Sequence, residues 1–162
     1  MSSAPAKSRT ASLAALLARL AVGGLFIYMG LSKALHPVEF LKLVRQYDLT
    51  HTPLLLNLIA AGLPWFEIFC GLLLIAGVAV RGAALMLVAM LVPFTIVVLN
   101  RAMGLHETSG LPFCAIKFNC GCGAGEVFIC RKVAENALLT LAALFLIWWR
   151  EHRFALRASL FR

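Results

Sequence analysis

Four long apolar runs constrain the fold of this chain more than any other feature. They cover residues 13–32, 54–80, 82–100 and 133–149, and a helix needs roughly 20 apolar residues to cross a bilayer. The whole chain is 62% hydrophobic and 14% charged, whereas soluble domains are about 45–50% apolar and about 25% charged. The sequence therefore predicts an all-α integral membrane four-helix bundle, formed by one domain over residues 13–150.

The remaining segments are assigned by their polarity. Residues 1–12 are small and polar, and we expect a disordered cytoplasmic N-terminus. Residues 37–48 place apolar and charged side chains on opposite faces of a helix, which predicts a short amphipathic helix lying in the membrane interface. A cysteine-rich loop covers residues 101–131, and a basic cytoplasmic tail covers residues 151–162.

The net charge of +8 does not indicate nucleic-acid binding. Most basic residues flank the apolar runs, where they interact with lipid headgroups or set topology. A nucleic-acid footprint requires a continuous soluble basic patch, which this pattern does not provide. Membrane lipid is the partner that the charge pattern predicts, and we expect no nucleic acid.

Topology follows from the number of spans and from the cysteines. Four spans place both termini on the same side of the membrane. Lys and Arg divide almost equally between the two sides, so the positive-inside rule barely decides the orientation. A loop with four cysteines favours an oxidising compartment. We therefore expect a multi-pass inner-membrane protein with cytoplasmic termini and the loop in the periplasm.

The loop cysteines are the candidate catalytic residues. Cys120 and Cys122 are one residue apart, so a disulfide between them closes a very small, strained ring that is easy to reduce. Cys114 and Cys130 would form a second pair or an exchange relay. Two alternatives remain: structural disulfides, which stabilise by ~2–4 kcal/mol, and a four-thiolate zinc site. The usual two-to-four-residue ligand spacing is absent, and we expect no metal.

Glu67 is the candidate for chemistry inside the membrane. It lies near the middle of the second run, where an isolated carboxylate is costly unless it faces the bundle, finds a partner or stays protonated. Arg19 in the first run is a possible partner. The interaction is either a structural ion pair or a contact with a proton or a quinone headgroup.

Two basic residues near the loop-side ends of the spans complete the predicted quinone site. Lys33 and Arg101 would hold a quinone carbonyl or lower the pKa of a nearby thiol, as would His106. The alternative is that these side chains extend to lipid headgroups. Glu67, Lys33 and Arg101 are thus the predicted quinone-binding residues. Cys70, one turn from Glu67, is interpreted as a small core residue.

Several segments carry a resemblance to known membrane proteins. Arg19–Lys33 and Leu63–Gly77, with its Leu-Pro-x-x-Glu motif, resemble the DoxX superfamily. Asn119–Gly123, which contains Cys-Gly-Cys, and Asn136–Leu138 resemble its MauE branch, named for methylamine utilisation. DoxX relatives include a membrane subunit of thiosulfate:quinone oxidoreductase. MauE is associated with maturation of a disulfide-rich periplasmic dehydrogenase subunit. The resemblance implies a four-helix membrane bundle linked to thiol chemistry.

Three functional hypotheses follow. The first is a membrane thiol–disulfide redox protein, which passes electrons between the thiols of a periplasmic protein and quinone, with a role in maturation of that protein. The second is a non-catalytic accessory or anchor subunit of a larger membrane complex, in which the loop disulfides are structural. The third, implied by the DoxX resemblance alone, is oxidation of a small sulfur compound such as thiosulfate.

Overall fold

The computed structural model describes residues 6–47, 52–121 and 125–149. Cys122 and the predicted tail over 151–162 lie outside the described residues. Five helices account for most of the described chain: α1 (Ala6–Leu35), α2 (Pro37–Gln46), α3 (Pro53–Ala76), α4 (Val80–Ser109) and α5 (Ile129–Trp148).

Three of the helices in the described chain, α1, α3 and α4, are long and apolar enough to cross a membrane. The predicted helical membrane protein is confirmed at that level. Apolar side chains such as Leu17, Leu58 and Phe69 are well exposed on the outer faces of the helices, which is the pattern expected where lipid rather than water surrounds a protein.

The helices begin and end at positions that differ from those predicted. α1 begins at Ala6, so residues 6–12 are helical where the sequence predicted disorder. α4 continues to Ser109, so the loop before α5 covers 110–128 rather than 101–131. The polar residues after position 100 therefore extend α4 beyond its apolar run. Apolar length alone underestimated this helix because polar residues also continue a helix outside the hydrocarbon core.

The turn between α3 and α4 is also shifted. Gly77 ends α3 with φ of 75°, and its N–H lies against the carbonyls of the last helical turn, as expected of a left-handed C-cap. Arg81, which separates the second and third apolar runs of the sequence, lies in the first turn of α4 together with Gly82. The glycine that can adopt positive φ at low cost therefore determines where α3 ends.

A small antiparallel hairpin lies within the loop. β1 (Lys117–Asn119) pairs with β2 (Glu126–Phe128), and Lys117 lies opposite Phe128 while Asn119 lies opposite Glu126. The sequence prediction contained no strands. The hairpin brings the two ends of the Cys-Gly-Cys segment close together, because Asn119 and Glu126 flank that segment.

Helix α1 packs against α3, and α4 packs against α5. Glycines allow the first contact to be very close. A Cβ atom at Gly23 would lie 2.8 Å from the carbonyl oxygen of Gly71, and one at Gly30 would lie 2.7 Å from that of Pro64. Small residues at helix interfaces are the usual means by which membrane helices approach each other.

Three apolar clusters hold the described part of the chain together. The largest joins α1, α3, α4 and α5 and includes Phe26, Leu74 and Leu87. The second fixes α2 to the first half of α3. The third contains Val98, Ala102, Ile116 and Ile129. Because Ile116 lies in the loop and the others lie on α4 and α5, the third cluster attaches the cysteine loop to the bundle.

Candidate functional site

Cys120 is the first residue of the Cys-Gly-Cys segment, and it is 1% exposed and disulfide-bonded. The hydroxyl of Tyr47, at the end of α2, donates a hydrogen bond of 3.2 Å to the Cys120 carbonyl. The N–H of Gly121 donates to the side-chain oxygen of Asn119 at 3.0 Å, and Gly121 has φ of 73°. A glycine thus permits the turn, and α2 fixes its position.

Burial raises the pKa of Tyr47 to about 12, and the positive charge of Arg101 opposes that rise. Desolvation disfavours the charged phenolate, so the hydroxyl remains a donor at neutral pH. Contact between α2 and the carbonyl of Cys120 is therefore maintained at neutral pH.

Cys114 and Cys130 form a disulfide with a Cα–Cα distance of 5.1 Å. It joins the 3₁₀ turn Phe113–Ala115 to the first turn of α5. Four loop cysteines allow three complete pairings, and this bond selects among them. It also occupies two of the four thiolates that the zinc alternative requires. The predicted catalytic role of this pair stays a prediction.

Glu67 forms its ion pair with Lys33. The Lys33 ammonium lies 2.5 Å and 2.7 Å from the two carboxylate oxygens, and both side chains are buried, at 7% and 4% exposure. Lys33 reaches Glu67 from α1, and its ammonium also lies 5.6 Å from the centre of the Phe40 ring. A buried pair with good geometry satisfies two groups that would each be costly alone.

The suggested pairing of Glu67 with Arg19 is wrong. Arg19 donates instead to the carbonyl oxygens of Leu74 and Ile75, at 2.9 and 3.2 Å. These carbonyls end α3, where a helix leaves acceptors without helical partners. Arg19 precedes Lys33 by fourteen positions, which is about 21 Å along a helix, so the two cations reach different levels of α3.

Two buried polar residues on α5 were not among the predicted site residues. Lys132 and Asn136 are 4% and 1% exposed. The Asn136 amide nitrogen donates to the Thr95 hydroxyl at 3.0 Å, and the Lys132 ammonium lies 3.9 Å from Glu135. Their spacing of four residues places them on one helix face. That spacing, at the entry to an apolar run, is the signal that would have indicated them.

A cavity of about 260 Å³, here called the loop cavity, lies between the α1–α2 corner and the cysteine loop. Residues from both sides line it, among them Lys33, His36, Phe40, Asn119 and Gly121. Gly121 directly follows Cys120, and Lys33 forms the ion pair. The loop cavity therefore connects the disulfide-bearing segment with the buried charges.

A smaller cavity of about 30 Å³, here called the inner cavity, lies within the bundle. Its polar lining consists of Lys33, Glu67, Lys132 and Asn136, and the remaining lining is apolar. Lys33 lines both cavities. Lys33 therefore lies between the loop cavity and the polar interior of the bundle, where it meets Glu67.

Arg101 is not brought together with the Lys33–Glu67 pair. It is exposed and lines a separate recess of about 410 Å³ with Tyr47 and Lys117. His106 is also exposed, and its Nδ1 lies 2.7 Å from the Leu111 carbonyl oxygen. Of the three predicted quinone-binding residues, the structure thus places two in contact, while the third lines a recess that contains neither of them.

These features define a class: a helical membrane protein in which a disulfide-bearing loop lies over a buried ion pair. The family model for methylamine utilisation protein MauE matches residues 11–149. Because this match covers most of the chain, the protein belongs to the MauE family. No curated protein and no solved structure matches it.

Proposed function

We propose that this protein is a membrane thiol–disulfide oxidoreductase that takes electrons from the thiols of a periplasmic protein and passes them to quinone. The observation that carries the proposal is the loop cavity, which Gly121 and Lys33 line together. Gly121, the glycine of the Cys-Gly-Cys segment, on one wall and Lys33 of the buried ion pair on the other suit electron transfer to a lipid-soluble acceptor. Membership of the MauE family supports a role in maturation of the periplasmic partner.

The proposal includes a membrane arrangement. Helix α5 is the fourth span, and Arg131, Lys132 and Glu135 lie in its first two turns. Trp148 is 88% exposed at its other end, where aromatic residues anchor helices at the interface. Helix α2 lies along the interface, the cysteine loop faces the periplasm, and both termini are cytoplasmic.

This orientation is tested with a membrane-impermeant thiol reagent on intact cells after mild reduction. Labelling of the loop cysteines in intact cells is expected. Labelling confined to inverted vesicles contradicts the orientation without affecting the redox chemistry.

The burial of Cys120 indicates different roles for the two cysteines of the pair. Because Cys120 is 1% exposed, we assign the contact with substrate to Cys122. A substrate thiolate attacks the sulfur of Cys122, a mixed disulfide forms, and Cys120 leaves as a thiolate. A second substrate thiolate then attacks the mixed disulfide. The substrate disulfide departs, and both cysteines of the protein are left reduced.

Reoxidation of Cys120 and Cys122 to their disulfide transfers two electrons to the acceptor. Quinone, when bound, supplies a two-electron, two-proton acceptor that diffuses in lipid. The Lys33 ammonium provides a hydrogen-bond donor for a carbonyl oxygen, and the Phe40 ring provides an apolar wall. The loop cavity, at about 260 Å³, is close to the lower end of the range for small-molecule sites, about 300–1,000 Å³.

The decisive experiment measures quinone reduction by purified protein. A reduced, unfolded disulfide protein serves as thiol donor, and a short-chain, fully substituted ubiquinone serves as acceptor. We expect Cys122→Ser to reduce the rate to background, because a single thiol cannot re-form the disulfide. Cys70→Ala is the matched control, since Cys70 is a free, buried cysteine in the apolar core. Wild-type activity per folded Cys122→Ser protein overturns the proposal.

A second experiment tests the division of roles. In Cys120→Ser, the remaining Cys122 is converted to its mixed disulfide with thionitrobenzoate, and displacement of thionitrobenzoate by substrate thiol is followed. We expect rapid displacement in this variant and little derivatisation of Cys120 in Cys122→Ser. The reverse pattern would assign the substrate contact to Cys120.

An accessory or anchor role is the second candidate. The Cys114–Cys130 disulfide favours it, because this bond joins the loop to α5 and is suited to stabilise a docking surface. Redox titration of the loop cysteines separates the two functions. A readily reduced couple supports the oxidoreductase, whereas disulfides that all resist reduction support the anchor.

A further inference from the structure

The inner cavity contains polar groups whose hydrogen bonding is incomplete within the described part of the chain. The side-chain oxygen of Asn136 is fully buried and has no hydrogen-bond partner among the residues that the structure describes. The side chain of the nearby Lys132 is 4% exposed, and the closest polar contact that its ammonium makes within the described residues is 3.9 Å, to Glu135. Across the cavity, Glu67 accepts from Lys33.

Such groups indicate a hydrogen-bonding occupant. A buried acceptor without a donor costs about 1–3 kcal/mol, so native structures usually supply a partner, often an ordered water. A polar cavity needs roughly 10–15 Å³ to hold one water, and the inner cavity has about 30 Å³. One water that accepts from Lys132 and donates to Asn136 and Glu67 would satisfy all three residues.

We propose that the inner cavity holds this water and that Lys132, the water and Glu67 form a proton path from the loop-side surface to the loop cavity. Glu135 is the entry point, because its side chain is 42% exposed and lies beside Lys132. Glu67 and Lys33 form the exit, because Lys33 lines the loop cavity. Lys132 passes protons to the water, and Asn136 is a positioning residue that holds the water.

This inference rests on the proposed function, which creates a need for protons. The cysteine pair reacts as thiolates, so two electrons reach quinone without accompanying protons. Conversion to quinol takes up two protons, and the path supplies them from the external solution. The charged residues that face Glu67 are Lys33 on α1 and Lys132 on α5, while α4 contributes only apolar residues to the cavity lining.

Infrared difference spectroscopy tests the water without requiring turnover. A pH jump in ordinary water and in ¹⁸O-water is expected to show a band of an internal water that shifts with the isotope. Asn136→Leu should abolish that band. Thr140→Val is the matched control, because Thr140 lies one turn further along α5 and donates only to the Asn136 backbone carbonyl. Absence of an isotope-sensitive band in the wild-type protein overturns the inference.

Kinetics test the path. Positioned proton transfer contributes about 10²–10⁴-fold to rates, so we expect Lys132→Met to slow quinone reduction at least about tenfold and to change its pH profile. In the Cys120→Ser background, Lys132→Met should leave displacement of thionitrobenzoate at Cys122 unaffected, since no proton from the path enters that step. Lys42→Met is the control, because Lys42 is an exposed lysine on α2.

The outcomes separate the two proposals. Unchanged quinone reduction in folded Lys132→Met overturns the proton path while the oxidoreductase stands. Absence of quinone reduction in the wild-type protein, together with absence of thionitrobenzoate displacement in Cys120→Ser, overturns the proposed function, and the infrared bands still decide whether the inner cavity holds the water.

Discussion

Two buried cations on α1, Arg19 and Lys33, lie in different environments at opposite ends of the bundle. Arg19 donates to the backbone carbonyls that end α3, and its surroundings are the large apolar cluster. Lys33 pairs with the Glu67 carboxylate and lines two cavities. Both are charged side chains in an apolar helix, and both have hydrogen-bond partners. The partners of Arg19 are backbone carbonyls, whereas the partner of Lys33 is a carboxylate.

The difference indicates where chemistry is located. A backbone carbonyl does not titrate, and an Arg guanidinium stays charged in proteins, so the Arg19 contact has one protonation state and serves stability. A Lys–Glu pair can exchange a proton with its surroundings. Beside a cavity under the cysteine loop, such a pair is suited to function. The following predictions test whether the two ends differ in this way, beginning with the largest effect.

The largest effect is expected from breaking the ion pair. Removing one partner of a buried pair typically destabilises by about 3–5 kcal/mol, because the other charge is left uncompensated. We expect Glu67→Leu to lower the free energy of unfolding by that amount in detergent micelles. The double variant Lys33→Met/Glu67→Leu should recover much of the loss.

A double-mutant cycle on these variants measures the coupling free energy. Additive effects would mean that the pair does not act as a unit. The double variant should remain inactive in quinone reduction even where its stability recovers, which separates function from folding at the loop-side end.

At the other end, Arg19→Met should affect stability alone. Hydrogen bonds from charged groups contribute about 1.5–3 kcal/mol, and we expect a loss of that size with unchanged quinone reduction per folded protein. Arg81→Met is the matched control, since Arg81 donates to the Ile147 carbonyl at 2.9 Å from an exposed position, and it should lose less. Reduced specific activity in Arg19→Met contradicts the assignment of Arg19 to stability.

Glycine substitutions on α1 test whether overpacking near Arg19 and overpacking near Lys33 have different effects on activity. Gly23→Ala and Gly30→Ala each place a methyl group within 3 Å of a backbone oxygen on α3, and overpacking of this kind costs about 1–3 kcal/mol. Only Gly30→Ala should also reduce activity, because its Cβ would lie 3.2 Å from the Cβ of Glu67. Gly24→Ala is the control, since its Cβ has no neighbour within 4 Å.

The smallest effect is expected at Tyr47, which holds the cysteine loop from α2. Tyr47→Phe removes one hydrogen bond to the Cys120 carbonyl and should lower stability by about 0.5–1.5 kcal/mol. Burial raises the pKa of Tyr47 to about 12. Its contribution is therefore fully present below the unfolded value of 10 and is lost as the pH rises through about 12.

Tyrosinate absorbance in a Tyr28→Phe background measures this titration, because the chain has two tyrosines. Ionisation of Tyr47 near its ordinary pKa would show that the loop does not bury it. In that case the contact between α2 and the loop would be weaker than the structure indicates.

Hydropathy determined the membrane class and three of the helices, because a long apolar run has few alternatives to a helix in lipid. It also indicated that Glu67 needs a partner, because an isolated carboxylate is costly in the membrane. The Cys-Gly-Cys segment and its setting indicated thiol chemistry, which remains a proposal. The boundaries of α1 and α4 were misjudged where polar residues continue a helix.

Only the tertiary structure decided which cation meets Glu67, how Cys114 and Cys130 pair, and that Lys132 and Asn136 lie in the interior. These features depend on how the helices align with one another, and for α1 and α3 the close approach at Gly23, Gly30 and Gly71 sets that alignment. Local sequence specifies that each helix forms and which face is apolar. It does not specify how far one helix slides along another, and that alignment places Lys33, rather than Arg19, beside the carboxylate.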